Sequence, residues 1–394
     1  MSKLVPTILP DATIGILGGG QLGRMMAMAA KQMGYRVICL DPQPHSPCGQ
    51  VCDLQIQGSF DDITAARELA MQSDVVVYEF ENISADVVAV LEREFHVPQG
   101  SRLLAITQDR IKEKGHLSRV GIPVAPYRVV ECLGDVSEAA HALSYPVVLK
   151  SATGGYDGKG QVVLYSAADL PRAQVLFGSA VGGGRSSPPV VLEKFLRLAG
   201  EISVIVARRV DGEARTFPVG ENVHRHNILH TTVVPARISS ELEQQAITLA
   251  LKIADSLDVV GLLAVEMFLT PEGLLVNELA PRPHNSGHYT LGACYTSQFE
   301  QFVRAVCNLP LGPTALLHPA VMVNVLGEHI EHLVRHLPLL PANVKFHLYG
   351  KSGVPVAKRK MGHLLINTSE PAASITWAED LLTGRIGASD CAKT

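Results

Sequence analysis

The sequence predicts a protein of two or three α/β and α+β domains that begins with a parallel sheet. Over roughly the first hundred residues, short apolar runs alternate with helix-like runs, and this βαβ order is typical of a parallel sheet. Further along, glycine-rich segments join neighbouring apolar runs, which indicates antiparallel hairpins. A length of 394 residues exceeds one compact core and favours more than one domain.

The composition indicates a globular protein, because 47% of the residues are hydrophobic and 18% are charged. A formal net charge of -4 gives no bulk attraction to nucleic acid or to an anionic membrane. The amino-terminal residues lack a secretory signal, and no apolar run is long enough to span a bilayer. Among seven cysteines, Cys48 and Cys52 are the only close pair, without further metal ligands nearby in the sequence. We therefore expect a cytoplasmic protein with free thiols.

The first element is the stretch GILGGGQLGRMMAMAAKQMGYRVICLD, which predicts a strand, a glycine turn, a helix and a second strand. Gly18, Gly20 and Gly23 have the spacing G-x-G-x-x-G, which is typical of dinucleotide-binding turns. Free N–H groups at a helix start also suit a phosphomonoester, and Arg24 follows the last glycine. A tight turn without any ligand is the third reading. Asp41 closes the second strand and has no assigned role.

The second element is the glycine loop in LKSATGGYDGKGQVVLY. Only three residues separate Gly154 from Gly158, and a strand follows, so the segment is a hairpin loop and not a P-loop. Its backbone can close over an anion, and Lys150 at the end of the preceding strand can reach a phosphate. An ordinary hairpin tip is the alternative. Tyr156 and Asp157 are side chains that such a tip does not need.

The third element is a hairpin in LLAVEMFLTPEGLLVNELAPRPHNSGH. A three-residue loop at 271–273 would place Glu266 opposite Glu278 on neighbouring strands. Two facing carboxylates in an apolar sheet repel each other, and a divalent cation removes that repulsion. The pair, with Asn277 beside it, therefore predicts a Mg²⁺ site, against the alternative of a solvated sheet face.

Other segments carry weaker signals. His224 and His226 have the H-x-H spacing that places two imidazoles on one strand face, with His230 nearby. No further ligand completes a zinc tetrahedron, so we expect these polar residues to line a nucleotide cleft. No G-x-S-x-G motif supports hydrolase chemistry. The segment SSELEQQAITLALKIADSL predicts a long helix, and the tail from about His318 predicts short strands and turns.

The order of these elements resembles the ATP-grasp superfamily and, within it, the N5-carboxyaminoimidazole ribonucleotide synthetase family. The resemblance is carried by GILGGGQLGRMMAMAA, YEFENI, TQDR, GGYDGKGQ, EKFL, VNELAPRPHNSGHYT and KRKMGH, which span nearly the whole chain. It implies an ATP-grasp fold with a Rossmann-like parallel-sheet domain before it and a small β-rich domain after it. The implied limits are 1–110 for the Rossmann-like domain, 111–200 and 201–315 for the two ATP-grasp subdomains, and 316–394 for the carboxy-terminal domain.

The resemblance also implies a reaction in de novo purine biosynthesis. ATP phosphorylates bicarbonate to carboxyphosphate, and its carbon dioxide is transferred to the amine of 5-aminoimidazole ribonucleotide. N5-carboxyaminoimidazole ribonucleotide, ADP and phosphate are the products. The cofactors implied are ATP and Mg²⁺, and the family resemblance implies a homodimer.

The resemblance assigns roles to residues at the matching motifs. Arg110 and Lys150 are expected at the ATP phosphates, residues 193–196 at the adenine and Glu201 at the ribose. The full ATP-binding set is Arg110, Lys150, Gly155, Tyr156, Asp157, Gly158, Lys159, Gly160, Gln161, Glu193, Lys194, Phe195, Leu196, Glu201, His224, Asn277 and Glu278. The catalytic set is Tyr156, Asp157, Arg282, His284 and Asn285. The ribonucleotide set is Gly20, Gln21, Leu22, Glu79, Lys351 and Arg359, and the metal ligands are Glu266 and Glu278.

One segment departs from the family pattern. YGKSGVPVAKRKMGH is longer than usual between Lys351 and Arg359, which leaves Lys358 as a rival for the phosphate. Three other functions compete with the synthetase. They are a related purine-pathway enzyme such as formate-dependent glycinamide ribonucleotide transformylase, an NAD-binding oxidoreductase, and a catalytically idle nucleotide-binding protein.

Overall fold

The structure is a computed structural model that describes residues 6–155, 160–177, 189–354 and 356–385. The strands are β1 (Thr13–Leu17), β2 (Arg36–Asp41), β3 (Leu54–Gln57), β4 (Val75–Tyr78), β5 (Tyr127–Val130), β6 (Val147–Ser151), β7 (Gln161–Leu164), β8 (Val190–Lys194), β9 (Gly200–Arg208), β10 (Ala214–Thr216), β11 (Gly220–Arg225), β12 (Ile228–Val234), β13 (Gly261–Thr270), β14 (Gly273–Ala280), β15 (Ala320–Leu326), β16 (Val344–Leu348) and β17 (Lys360–Asn367). The α-helices are α1 (Gln21–Gln32), α2 (Ile63–Met71), α3 (Ala85–Glu94), α4 (Ser101–Thr107), α5 (Arg110–Arg119), α6 (Val136–Leu143), α7 (Gln174–Phe177), α8 (Ser240–Ser256), α9 (Thr290–Ala293), α10 (Gln298–Val306), α11 (Ile330–His336) and α12 (Pro371–Leu382).

The amino-terminal unit is a parallel sheet of order β3-β2-β1-β4. Strands β1, β2 and β4 are mostly apolar because the sheet is covered on both faces, whereas the edge strand β3 alternates apolar and polar residues. Ile14 and Ile16 of β1 pack on one side with Met26 of α1, and Leu17 packs on the other side. Helix α1 also packs on α10, which joins this unit to the rest of the molecule. The predicted βαβ start is confirmed.

A second, antiparallel sheet has the order β5-β8-β6-β7. Strands β6 and β7 pair from Val147 opposite Leu164 to Lys150 opposite Gln161, so the glycine segment between them is a hairpin connection, as predicted. The predicted surface loop at 178–189 lies outside the described residues except for its last position.

The largest sheet of the described chain has nine strands, with the order β14-β13-β9-β11-β12-β15-β17-β16 and β10 on β9. The predicted long helix is α8, which packs against β9 and β13. The tail prediction was incomplete, because helices α11 and α12 accompany its strands. Strand β15 pairs with β12, so hydrogen bonds of one sheet cross the domain limit predicted near residue 316.

No helix of the described residues has the length and apolar composition that a membrane span requires.

Candidate active site

A cleft of about 670 Å³ lies between the antiparallel sheet and the nine-stranded sheet. Polar side chains from β6, β8, β9, β13 and β14 line it, together with the start of α5. Most of the residues predicted for ATP, metal and catalysis meet here. They are Arg110, Lys150, Gly155, Gly160, Gln161, Glu193, Lys194, Phe195, Leu196, Glu201, His224, Glu266, Asn277, Glu278, Arg282, His284 and Asn285. Tyr156, Asp157, Gly158 and Lys159 lie outside the described residues.

The base of the glycine hairpin explains one of its glycines. Gly160 has a φ of +74°, a conformation that residues with a side chain rarely adopt. A Cβ there would lie 2.5 Å from the hydroxyl of Ser151. The backbone N–H of Ser151 donates to the Gly160 carbonyl at 2.8 Å. The two arms of the hairpin therefore approach as closely as they do because this residue is glycine.

A buried group of two lysines and one glutamate lies at the antiparallel-sheet side of the cleft. Lys150 Nζ is 2.9 Å from one carboxylate oxygen of Glu193, and Lys114 Nζ is 3.2 Å from the other. Burial favours the neutral acid, but the two lysines outweigh it and hold the pKa of Glu193 below its usual range. The group carries a net positive charge inside the protein and therefore attracts an anion such as a nucleotide phosphate.

The β13–β14 hairpin brings two carboxylates together, but not through the predicted loop. The predicted three-residue loop 271–273 is wrong, because Gly273 pairs with the last residue of β13 and only two residues turn. This shorter loop shifts the register by one position. A β-bulge that leaves Asn277 unpaired then restores it, so Glu266 does lie opposite Glu278. The predicted pairing is confirmed, although the turn that was meant to produce it differs.

The two facing carboxylates leave a negative charge that the neighbouring side chains only partly balance. Burial and then the charge of Glu278 raise the pKa of Glu266 to about 7. His284 Nε2 lies 3.5 Å from Glu266, but burial holds the pKa of this imidazole well below its usual range, so it adds no positive charge. Arg110 contacts the outer oxygen of Glu278 at 3.3 Å. Oxygen donors of this kind suit Mg²⁺, which would be held by Glu266 and Glu278.

Arg282 and Asn285 also line the cleft. The Arg282 guanidinium donates to the carboxylate of Glu81 at 2.5 Å, and both groups lie within the cleft lining. Asn285 is 9% exposed, and neither its amide nitrogen nor its amide oxygen has a hydrogen-bond partner in the described part of the chain. A buried amide without partners is costly, so its two atoms fit a polar ligand in the cleft.

Of the three histidines at 224, 226 and 230, only His224 lines the cleft, and the three do not form a metal site. His224 lies on β11 in contact with the carboxylate of Glu201. His226 is in the following turn with a φ of +52°, so the prediction that the two imidazoles share a strand face is wrong. His230 is occupied elsewhere, because its Nε2 lies 2.9 Å from Glu379 of α12. The predicted place of His224 in the nucleotide cleft agrees with the cleft lining.

The amino-terminal glycine turn contains acidic side chains from neighbouring strands. The carboxylate of Glu79, after β4, accepts the N–H groups of Gly20 at 2.6 Å and Gly23 at 2.8 Å. Asp41, at the end of β2, accepts the N–H of Gly19 at 2.8 Å. Dinucleotide-binding turns leave these amides for a pyrophosphate and this acid for a ribose. The turn is therefore built unlike a dinucleotide site. The first backbone N–H of helix α1, that of Gln21, is the next one that could bind a phosphate.

Residues near position 350 lie beside this turn. Gln50 connects the two regions, because its amide nitrogen donates to the carbonyl of Gly350 at 2.6 Å and its amide oxygen accepts from Arg24 at 3.1 Å. Lys351 Nζ lies 5.7 Å above the ring of Tyr349. Gly350 and Lys351 are thus close to the glycine turn, and the predicted ribonucleotide residues are not among those that line the cleft.

Arg359 closes the carboxy-terminal loop. Its guanidinium donates to the carbonyl of Ser352 at 3.1 Å. This contact gives Arg359 a structural role in the segment 351–359, which is longer than in the family pattern.

Sequence reasoning missed several residues of the cleft. They are Glu81, Glu113 and Lys360, which line the cleft, and the buried Lys114, which contacts the lining residue Glu193. Glu81 lies in the recognised segment YEFENI, two residues after Glu79, and Lys360 follows Arg359. Lys114 is one helical turn after Arg110, and that spacing is a signal that could have placed it on the same face.

Comparison with known proteins gives the family. Models of the ribonucleotide synthetase preATP-grasp domain, the ATP-grasp domain and the phosphoribosylaminoimidazole carboxylase C-terminal domain match residues 11–108, 115–299 and 320–375. The N5-carboxyaminoimidazole ribonucleotide synthase of Bacillus subtilis (strain 168) is 50% identical, with 92% of this chain and 93% of the relative covered. The chain belongs to this family. It is therefore an ATP-grasp ligase, and the predicted family, fold and enzyme class are confirmed.

Solved members of the N5-carboxyaminoimidazole ribonucleotide synthetase family share the whole architecture. One crystal structure, an ADP complex, has a TM-score of 0.91 at 52% identity and covers 97% of this chain and 99% of its own. A structure from Aspergillus clavatus with ADP and 5-aminoimidazole ribonucleotide has a TM-score of 0.86 at 30% identity, with 95% and 99% covered. The family match leaves the oxidoreductase and transformylase readings without support.

Proposed function

We propose that this chain uses ATP and bicarbonate to carboxylate the exocyclic amine of 5-aminoimidazole ribonucleotide, in the purine biosynthesis of its family. The observation that carries the proposal is the pairing of Glu266 with Glu278 in a cleft that Lys150 and Glu193 also line. Anionic and cationic groups face one cavity, as a metal–nucleotide complex requires. Membership of a family with solved ADP and ribonucleotide complexes supports it.

The nucleotide lies with its phosphates toward the cationic side of the cleft. Lys150 and Arg110 bind phosphate oxygens, and Lys194, Phe195 and Leu196, at the end of β8 and just after it, contact the adenine. Phe195, which is partly exposed at the cleft edge, offers an aromatic surface to the base. Glu201, held by His224, is placed to accept a ribose hydroxyl.

Glu266 and Glu278 would hold Mg²⁺, with Asn277 beside them. When bound, Mg²⁺ neutralises charge on the phosphates of ATP. A bicarbonate oxygen attacks the terminal phosphorus, the bond to ADP breaks, and carboxyphosphate forms. The unpartnered amide of Asn285 and the guanidinium of Arg282 are placed to hold the bicarbonate oxygens.

The acceptor amine takes up the carbon dioxide that carboxyphosphate releases with phosphate. We assign Asp157 to accept an N–H of this amine and Tyr156 to pack on the ring; both lie outside the described residues. The 5′-phosphate binds the amides of Gln21 and Leu22 at the start of α1, together with Lys351 and Arg359, for which Lys358 is the alternative. Excluding water between the two sites protects carboxyphosphate from hydrolysis.

The decisive experiment compares substrates. ADP release should need bicarbonate and 5-aminoimidazole ribonucleotide together, with carboxylated product equal to phosphate released. Formate with glycinamide ribonucleotide should give none, and calorimetry should detect no saturable NAD binding. ADP release that depends on formate or on glycinamide ribonucleotide would overturn the proposal. We also propose that the enzyme is cytoplasmic and a homodimer. Light scattering of the purified chain tests the dimer, because it measures the mass of the particle in solution.

A further inference from the structure

Three cysteine side chains meet beneath the amino-terminal glycine turn. Cys39 lies on β2, and Cys48 and Cys52 lie on the loop that leads to β3. Their sulfur atoms are all within 4.8 Å of one another, and those of Cys39 and Cys52 are 3.6 Å apart. In the sequence only Cys48 and Cys52 are close to each other. Cys39 lies nine positions before Cys48, and strand β2 brings it to the other two.

The three thiols differ in exposure. Cys39 and Cys48 are completely buried, whereas Cys52 is partly exposed. Buried cysteines often serve only as small apolar side chains. Core packing alone does not, however, explain why the partly exposed Cys52 contacts the fully buried Cys39. Hydrogen bonds from the Cys39 and Cys48 thiols lower the pKa of Cys52, and a partly exposed thiolate beside a second thiol is the usual arrangement of an oxidant sensor.

A metal ion fits this cluster less well than a disulfide. Among the described residues, no histidine, carboxylate or further cysteine joins the three sulfur atoms as a fourth ligand, whereas structural zinc sites have four. Three thiolates on a divalent ion would also leave a negative charge in an apolar core. A disulfide is neutral and leaves no such charge.

We propose that Cys39 and Cys52 form a reversible disulfide when a hydroperoxide oxidises Cys52. The Cys52 thiolate attacks the terminal oxygen of the hydroperoxide, the S–O bond of a sulfenic acid forms as the O–O bond breaks, and the leaving oxygen takes up a proton. The Cys39 sulfur then attacks the Cys52 sulfur, the S–S bond forms, and the hydroxyl leaves as water with the Cys39 proton. Two thiols lose two electrons, and the hydroperoxide is reduced by the same two.

The disulfide would act on the ribonucleotide end of the enzyme through the loop that carries Cys48 and Cys52. The backbone N–H of Cys48 donates to the carbonyl of Gly19 in the glycine turn at 2.9 Å. The carbonyl of Pro47 accepts from the guanidinium of Arg24 at 3.1 Å. Drawing Cys52 onto β2 therefore moves the support of the turn.

The same loop reaches the carboxy-terminal region, because Gln50 donates to Gly350. The nucleotide cleft is formed by other strands. The oxidised enzyme should therefore bind the ribonucleotide more weakly and ATP equally well. This effect rests on the proposed function, whereas the disulfide itself does not.

The test uses the full chain with Cys132→Ser and Cys391→Ser, which removes an exposed thiol and one outside the described residues. After hydrogen peroxide treatment, peptide mass spectrometry should find Cys39 linked to Cys52. The KM for the ribonucleotide should rise about tenfold, because the loop that supports the glycine turn is displaced. The KM for ATP should not change, and dithiothreitol should reverse the effect. Cys52→Ser and Cys39→Ala should abolish the response, and Cys48→Ser, the matched buried control, should keep it.

Three results would overturn the inference. One is Cys52 that oxidises to sulfinic acid without a disulfide, and another is a disulfide that leaves the KM unchanged. The third is tight binding of one Zn²⁺ by the reduced chain through all three thiols. If the reduced enzyme had no activity with the ribonucleotide, the proposed function would fail, while the mass spectrum would still decide on the disulfide.

Discussion

Two regions of the molecule each enclose a pair of acidic side chains, and the difference lies in what those acids contact. In the amino-terminal turn, Asp41 and Glu79 accept backbone N–H groups from Gly19, Gly20 and Gly23. In the cleft, Glu266 and Glu278 face each other across a strand pair. The first pair completes the hydrogen bonding of a helix start, whereas the second pair has one neighbouring cation, Arg110, for two carboxylates.

This contrast separates acids that build shape from acids that bind. A carboxylate that accepts two amides is compensated within the fold, so removing it changes geometry. Two facing carboxylates with one neighbouring arginine are only partly compensated by the fold, so removing one changes the affinity for a cationic ligand. The glycine turn and the hairpin therefore predict different phenotypes for equally small substitutions, and the following variants test this from the largest effect to the smallest.

Glu278→Gln should reduce ADP formation about a thousandfold, because it removes a metal ligand charge from the cleft. Manganese binding, followed by electron paramagnetic resonance in the presence of ADP, should weaken in parallel. Glu266→Gln with Glu278→Gln should cost little more than either change alone, because ligands of one metal act together.

The matched control for this prediction is Glu272→Gln on the exposed turn of the same hairpin. It should keep wild-type activity and manganese binding. If Glu278→Gln bound manganese as tightly as the wild type, the two carboxylates would not form a metal site.

Lys114→Met should lower the free energy of unfolding by about 3 kcal/mol, because it leaves a carboxylate oxygen of Glu193 buried without its cation. Lys114 is only 1% exposed. The midpoint and slope of urea unfolding measure the change. Lys112→Met, two residues earlier on α5, removes an exposed lysine 3.8 Å from Asp109 and should cost under about 1 kcal/mol. Equal effects of the two variants would refute a stabilising role for the buried group.

Gly20→Ala should raise the KM for the ribonucleotide about tenfold and leave the KM for ATP unchanged. The added Cβ would lie 2.6 Å from a carboxylate oxygen of Glu79, so the acid that shapes the turn must move. Gly115→Ala, where a Cβ meets nothing within 4 Å, is the control and should leave both constants unchanged. A rise in the KM for ATP alone would reverse the assignment of the two regions.

Glu113→Gln should change how stability depends on pH. Burial, above all, raises the pKa of Glu113 to about 8. Between the unfolded pKa and pH 8 the folded chain therefore holds a proton that the unfolded chain has released, and stability falls as the pH rises. Removing this proton should make the slope of unfolding free energy less negative by about 1.4 kcal/mol per pH unit. Parallel curves for variant and wild type would show that Glu113 is ionised when folded.

The fold and the contents of the cleft followed from sequence because they depend on local patterns and recognised motifs. Lys150, at a strand end before a glycine hairpin, is one example. The pairing of Glu266 with Glu278 is a less secure one, because the predicted turn was a residue too long and a bulge at Asn277 compensated for it. No rule of turn length foresees such a bulge.

Contacts between distant parts of the chain escaped the sequence. The carboxylate of Glu79 reaches an amide 59 residues earlier, and only the order of strands in the sheet brings the two together. Lys114 resembles any exposed helical lysine until α5 is seen to pack on β8. The sequence missed Cys39 as a member of the cysteine cluster for the same reason. Cys39 lies on β2, whereas Cys48 and Cys52 lie on the loop before β3.

The pairing of β12 with β15 has a consequence for cutting the chain. Thr231 to Val234 are hydrogen bonded to Ala320 to Val323, and all of these side chains are buried. A fragment ending before residue 316 would expose β12 as a bare sheet edge rich in β-branched residues. Such an edge pairs readily with a second copy of itself. Shortened forms of this enzyme are thus expected to aggregate, so the last strands should be retained even when only nucleotide binding is of interest.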